Sequence, residues 1–200
     1  MTAKWTIDPK HCDCWIPETS DNIDPELLAG IRKEHKGWDF DGIVRDNTTS
    51  PISSADCLVK KDDSLFFIEF KHNILDGMGE VRPEIMCGIH KKAKDTAMIA
   101  ERFLPESITE GVRRRYFILV GDEKKWARMN TYVLTKDVPL IQSMTMYQTP
   151  DTHNNRVYFD RVFAIHALGF SRWVNDGCRI HKLDEEMKAR KELIRAKRVA

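Results

Sequence analysis

Apolar positions recur along this chain with two periods, and the switches between them mark the elements. Residues 84–104 carry the clearest helical pattern. Ile85, Met86, Ile89, Ala93, Ala97, Ala100, Phe103 and Leu104 fall on one face at 100° per residue, and Pro105 ends the segment. Asp24-Pro25-Glu26 is a helix start, with Asp as cap, Pro at the first position and Glu at the positive end of the dipole. The stripe Leu27, Leu28 and Ile31 continues it, predicting a helix to about Lys36 that stops at Gly37. Residues 56–60 and 65–71 alternate as two strands around Lys61-Asp-Asp-Ser64. Arg115-Tyr-Phe-Ile-Leu-Val120 is a continuous apolar run closed by Gly121, the pattern of a strand buried on both faces.

The other segments read less sharply. Residues 1–23 are interrupted by Pro9, Pro17 and a polar cluster. Residues 37–55 form a loop with one short strand, Asp41–Arg45, and residues 73–83, with Gly77, Gly79 and Pro83, form another loop. A short helix over 122–129 and a strand over 131–135 follow. Residues 156–168 are apolar without a decisive period. Residues 182–198 predict a charged helix on Leu183, Met187, Leu193 and Ile194. The order helix, hairpin, helix, buried strand predicts an α/β (α+β) fold with a mixed sheet. The reading is one domain over residues 1–200, with a core at about 24–135 and a C-terminal extension over 136–200.

Composition narrows the class. The chain has 200 residues, 42% hydrophobic and 32% charged, which excludes collagen-like, coiled-coil and disordered classes. No run of about eighteen apolar residues is present, so a membrane span is not expected. The first residues lack an apolar leader, and five cysteines make no disulfide framework. Both point to a reducing, cytoplasmic setting. The net charge of +1 hides two halves: residues 1–87 are acidic and residues 88–200 are basic, which suits phosphate binding.

The chemistry lies in the hairpin. Phe67, Glu69 and Lys71 share one face of the second strand, and Phe66, Ile68 and Phe70 take the other. A loop centred on Asp62 and Asp63 pairs residues whose numbers sum to 125, which sets Asp56 opposite Glu69. Cross-strand neighbours hold their Cβ atoms about 4.5–5.5 Å apart. Two carboxylates at that spacing repel unless a cation lies between them, and hard oxygen ligands suit Mg²⁺ or Mn²⁺. Lys71 beside them would orient a water or balance phosphoryl charge. A plain Glu69–Lys71 ion pair at the end of the sheet, with Asp56 on the surface, is the alternative.

This pattern, Asp56 followed across the hairpin by Glu69-Phe70-Lys71, resembles the PD-(D/E)XK nuclease superfamily, the restriction-endonuclease-like fold. The likeness covers roughly residues 24–121, with Ala55 in place of the namesake Pro. It implies a mixed central sheet flanked by helices, Mg²⁺ (or Mn²⁺), and hydrolysis of nucleic-acid phosphodiesters, DNA ahead of RNA. By that likeness Asp56, Glu69 and Lys71 are catalytic, and Asp56 and Glu69 bind metal. Glu34, close to the stripe of the first predicted helix, is the candidate third metal ligand. Lys92 and Thr96 fall inside the apolar stripe of the long helix, where the family places a group near the scissile phosphate. Lys91 and Lys94 point elsewhere, toward backbone phosphates. A homodimer would suit cleavage of two strands. A nuclease-like module that binds nucleic acid or a protein without cutting is the competing expectation, and an unrelated α/β interaction protein is a third.

Other signals weigh less. His11-Cys12-Asp13-Cys14 is too tightly spaced for a usual structural zinc site. Alternation aims His72 away from the acids. Trp126 among Lys124, Lys125 and Arg128 suits base stacking but more simply packs a helix on the core, and the basic residues of the last helix suit DNA or an acidic partner as well as a solvated surface.

Overall fold

The computed structural model describes residues 3–20, 23–74, 82–122, 143–148 and 158–185, together with residues 188, 192 and 196. The expected helix over 122–129, the strand over 131–135, the Trp126 cluster and most of the last basic helix lie outside the described residues.

A six-stranded mixed sheet organises the chain, in the order β1 (Cys14–Trp15), β2 (Lys36–Asp39), β3 (Cys57–Lys61), β4 (Ser64–Lys71), β5 (Arg114–Gly121) and β6 (Arg161–His166). The first three pairings are antiparallel. The β4–β5 and β5–β6 pairings are parallel. Between the strands stand α1 (Pro25–Leu28), α2 (Phe40–Asn47), α3 (Pro83–Arg102), α4 (Glu106–Thr109) and, after β6, α5 (Ala167–Asn175). The fold is mixed α/β, as the pattern predicts. No described helix is long and apolar enough to cross a membrane.

The strands alternate between two cores, which is why β4, β5 and β6 read as nearly continuous apolar runs. Leu65, Phe67, Phe117, Leu119 and Ala164 pack with Ile89, Ala93, Ala97 and Ala100 of α3. Phe66, Ile68, Phe70, Ile118 and Ile165 face Phe170, Trp173 and Val174 of α5, with Leu28 and Ile31 beside them. Glu69 follows Phe67 on the α3 side, so a carboxylate is carried into the layer that α3 covers.

Two expectations are corrected here. The helix begun at Asp24 does not reach Lys36. Asp24 caps it, its carboxylate accepting from the Glu26 N–H at 3.0 Å, but the helix ends at Leu28. Asn175, at the end of α5, takes the backbone groups that a longer helix would use. Its amide donates to the Gly30 carbonyl at 2.8 Å and its oxygen accepts from the Arg32 N–H at 3.0 Å. Gly37 is therefore not a helix stop but a β2 residue paired with Cys14. A Cβ there would stand 2.8 Å from the Leu58 carbonyl oxygen and 2.9 Å from the Cys57 sulfur, so close approach to β3 requires glycine. The expected strand at Asp41–Arg45 is the middle of helix α2. The ambiguous run at 156–168 contains β6 and the first two residues of α5.

Candidate active site

The hairpin forms in the register set by its loop, Cys57 opposite Ile68 and Leu58 opposite Phe67. Continued by one residue, it brings Asp56 across from Glu69. Asp56 is held on every side. Its N–H donates to the Ile68 carbonyl at 2.9 Å, and its carbonyl accepts from the N–H groups of Phe40 and Asp41 at the start of α2, at 3.0 and 3.4 Å. Its Oδ2 accepts from the Phe70 N–H at 2.7 Å. The side chain thus takes a backbone donor flanking Glu69 and leaves Oδ1 aimed at the pair's shared space.

Lys92 fills that space. Its ammonium lies 2.8 Å from Asp56 Oδ1 and 2.8 Å from Glu69 Oε2. It comes from α3, one turn before Thr96, whose hydroxyl oxygen accepts from the Ala55 N–H at 2.8 Å and pins the residues ahead of β3 to the helix. Lys71 stands 3.6 Å from Glu69 Oε1. That oxygen is fully buried and has no hydrogen-bond partner among the described residues. An unmatched buried carboxylate oxygen costs about 1–3 kcal/mol or more, so the site carries unused acceptor capacity.

Burial dominates the electrostatics. Glu69 is 0% exposed, and burial with the neighbouring Asp56 charge pushes its carboxyl up to about 8, with Lys92 and Lys71 pulling only part of the way back. Burial also raises Asp56, against the pull of Lys92 and the Phe70 N–H. For Lys92, burial disfavours the charge, but attraction to Glu69 and Asp56 outweighs it and the ammonium is held above its ordinary range. The raised Glu69 carboxyl has a consequence for stability. Below about pH 4.5 both folded and unfolded chains hold the proton; between there and about pH 8 only the folded chain does, so stability falls as pH rises through that window. Thermal melts from about pH 5 to about pH 8 should show a declining midpoint in wild type and a flatter profile in Glu69→Gln. Equal slopes would mean that Glu69 ionises normally.

The other expected site residues are distributed unevenly. Lys91 and Lys94 are exposed on α3, away from the acids. Lys92, expected near a phosphate, pairs with both acids. Glu34 is not on a helix: it sits in the turn after α1, largely exposed, with its Oε1 3.1 Å from Arg32 Nε. The early end of α1 at the Asn175 clamp removes the geometry that would have aimed it inward. His72 turns to Asp122, which follows β5, as alternation predicts.

The acid that α2 does bring near is Asp41, which the sequence reading placed in a strand. Its Oδ1 accepts from the buried Ser54 hydroxyl at 2.8 Å, and its charge adds to the rise of Asp56. The signal for α2 was present: Asp39 as cap, with Phe40, Ile43 and Val44 at helical spacing, all three buried. His11 supports this helix. Its ring nitrogens lie 2.9 Å from Asp39 Oδ2 and 3.0 Å from Asp46 Oδ2, so the residue belongs to a buried clamp on α2. Gly42 makes room for it; a Cβ would fall 2.1 Å from Asp39 Oδ2 and 2.4 Å from the imidazole. Gly42→Ala should cost about 1–3 kcal/mol in urea unfolding through this overlap. A neutral result would show that the clamp yields freely.

Chemically, the arrangement offers two buried carboxylates, one orphaned oxygen and two lysines. Among the described residues no group of three or more His, Cys, Asp or Glu is placed to hold a metal. The facing carboxylates of Asp56 and Glu69, with Asp56 Oδ1 and Glu69 Oε2 bonded to Lys92, are a sparse set of hard donors. That set fits Mg²⁺, which usually keeps several waters and takes one or two carboxylates plus substrate phosphate. Compared with known proteins, the chain matches no family model, no curated protein and no solved structure.

Proposed function

We propose that the chain is a divalent-metal-dependent nuclease that hydrolyses phosphodiester bonds, with DNA the favoured substrate. The observation that carries this reading is the pairing of Asp56 with Glu69 on the α3 face of the hairpin, with the buried Oε1 of Glu69 unmatched and Lys71 at 3.6 Å. Asp56 and Glu69 would hold Mg²⁺ or Mn²⁺, which would supply Lewis acidity to a phosphoryl oxygen and an acidified water. Lys71, on the same strand face, would orient the attacking water and balance charge developing on the phosphorus oxygens. Lys91 and Lys94, exposed along α3, would contact flanking phosphates. On duplex DNA this single site would cut one strand per chain, and a homodimer would cut both.

The test is incubation of the full chain with plasmid, linear duplex and single-stranded DNA, and with RNA, in Mg²⁺ or Mn²⁺, with a chelator control. Chelator-sensitive cleavage of any of these is expected. Its absence at millimolar metal across all four would move the assignment to the second reading.

That second reading, a module that binds nucleic acid or a protein without cutting, has an observation of its own. Lys92 already pairs with both carboxylates at 2.8 Å, an arrangement that also serves as a purely structural ion-pair network. It predicts binding that weakens steeply with salt and no metal-dependent product.

A further inference from the structure

Lys92 stands where a divalent cation would have to stand. Its ammonium is 2.8 Å from Asp56 Oδ1 and 2.8 Å from Glu69 Oε2, the oxygens that face each other across the hairpin. The remaining Asp56 oxygen is engaged by the Phe70 N–H, and Oδ1 is the one that Lys92 holds. Resting on the metal-site reading above, we propose that Lys92 is a resident counter-cation: a divalent ion enters by displacing it, and Lys92 thereby sets the affinity of the site for metal.

The charge count requires the exchange. Asp56 and Glu69, when ionised, bring two negative charges, and Lys92 and Lys71 two positive ones. Adding a divalent ion with Lys92 still in place would leave two uncompensated positive charges beside a wholly buried carboxylate, where repulsion is weakly screened. Lys71 has no such conflict. It lies 3.6 Å from a single oxygen, Glu69 Oε1, and is not between the acids. Lys92 can leave because of its stem. It is 20% exposed at the side chain and belongs to a helix whose Lys91 and Lys94 already reach solvent, so rotation about its four-carbon chain carries the ammonium outward without moving the backbone. Once the ion neutralises the carboxylates, a substrate phosphate becomes the ammonium's natural partner. The exchange would turn a site closed by Lys92 into one that presents both metal and lysine to a phosphodiester.

The experiment is Mn²⁺ titration of the full chain by calorimetry, in wild type, Lys92→Met and Lys71→Met. Lys92→Met is expected to bind Mn²⁺ on the order of tenfold more tightly than wild type, and Lys71→Met to gain much less. Equal affinities in all three, or equal gains in the two variants, overturn displacement while leaving the metal site standing. No Mn²⁺ binding by any of the three overturns both this inference and the metal-site reading. Lys92→Met leaves two buried acids uncompensated, so wild type supplies an independent measurement. Reductive methylation of its lysines, read by mass spectrometry, should label Lys92 more heavily in saturating Mn²⁺ than in chelator. Unchanged Lys92 labelling in metal-bound protein overturns the proposal.

Discussion

Asp56→Asn and Glu69→Gln are each expected to lower metal-dependent cleavage by about 10³-fold, with Lys71→Met close behind, while circular dichroism shows a folded chain. The size follows from what each change removes. The amides keep shape and hydrogen-bonding atoms but lose the charge that would hold the cation. Losing metal-assisted stabilisation of the phosphorus oxygens raises the barrier by several kcal/mol, and each 1.36 kcal/mol is tenfold in rate. Glu34→Ala is the control from within the same set of expected residues. Paired with Arg32 in an exposed turn, it should cleave at the wild-type rate. Asp41→Asn should lie between, because Asp41 acts on Asp56 through charge and touches Ser54 rather than the carboxylate pair. The measurement is initial rate on whichever nucleic acid wild type cuts. Robust cleavage by Asp56→Asn or Glu69→Gln would remove the site from the reaction.

Phe67→Ala is expected to be the most damaging change to stability, costing about 3–5 kcal/mol out of the roughly 5–15 kcal/mol that holds a domain of this kind together. Phe67 is 0% exposed and sits mid-strand on β4. Its ring meets Phe40 of α2 edge-on at 5.4 Å between centroids and Phe159 at 6.0 Å. Deleting it opens a cavity bordered by the hairpin, α2 and the residues leading into β6, which rigid neighbours cannot fill by small shifts. It also lies two residues before Glu69 on the same face, so the loss should loosen the site as well as the core. Urea unfolding would read it directly, with Lys91→Ala as a surface comparison expected within about 0.5 kcal/mol of wild type. A loss below about 1 kcal/mol would mean that α2 and α3 close over the gap.

The hairpin was legible because its information is local. Loop length sets register, strand alternation sets faces, and together they place Asp56 opposite Glu69 without reference to the rest of the chain. The long helix was legible for the same reason: Ile89, Ala93, Ala97 and Ala100 repeat on one face. Its stripe also showed that Lys92 interrupts an apolar surface. That its ammonium meets two acids was not readable, because α3 meets the hairpin only in the folded sheet. Helix α2 escaped the sequence reading because it is short, contains Gly42 and two Asp, and so has weak propensity. It is held from outside, by the Asp56 carbonyl at its first N–H groups and by His11 between Asp39 and Asp46.

Sequence alone determined that β3, β4 and β5 are strands, the register of β3 and β4, and the sharing of one strand face by Phe67, Glu69 and Lys71. Each depends on residues a few positions apart, where sterics and period leave one solution. Tertiary structure decided the end of α1, through Asn175 some 143 residues away from Arg32. It also decided which acid approaches the hairpin, Asp41 and not Glu34, and which cation rests between the carboxylates. Those outcomes turn on distant groups competing for the same backbone donors and the same buried charges, and such competition has no local signature.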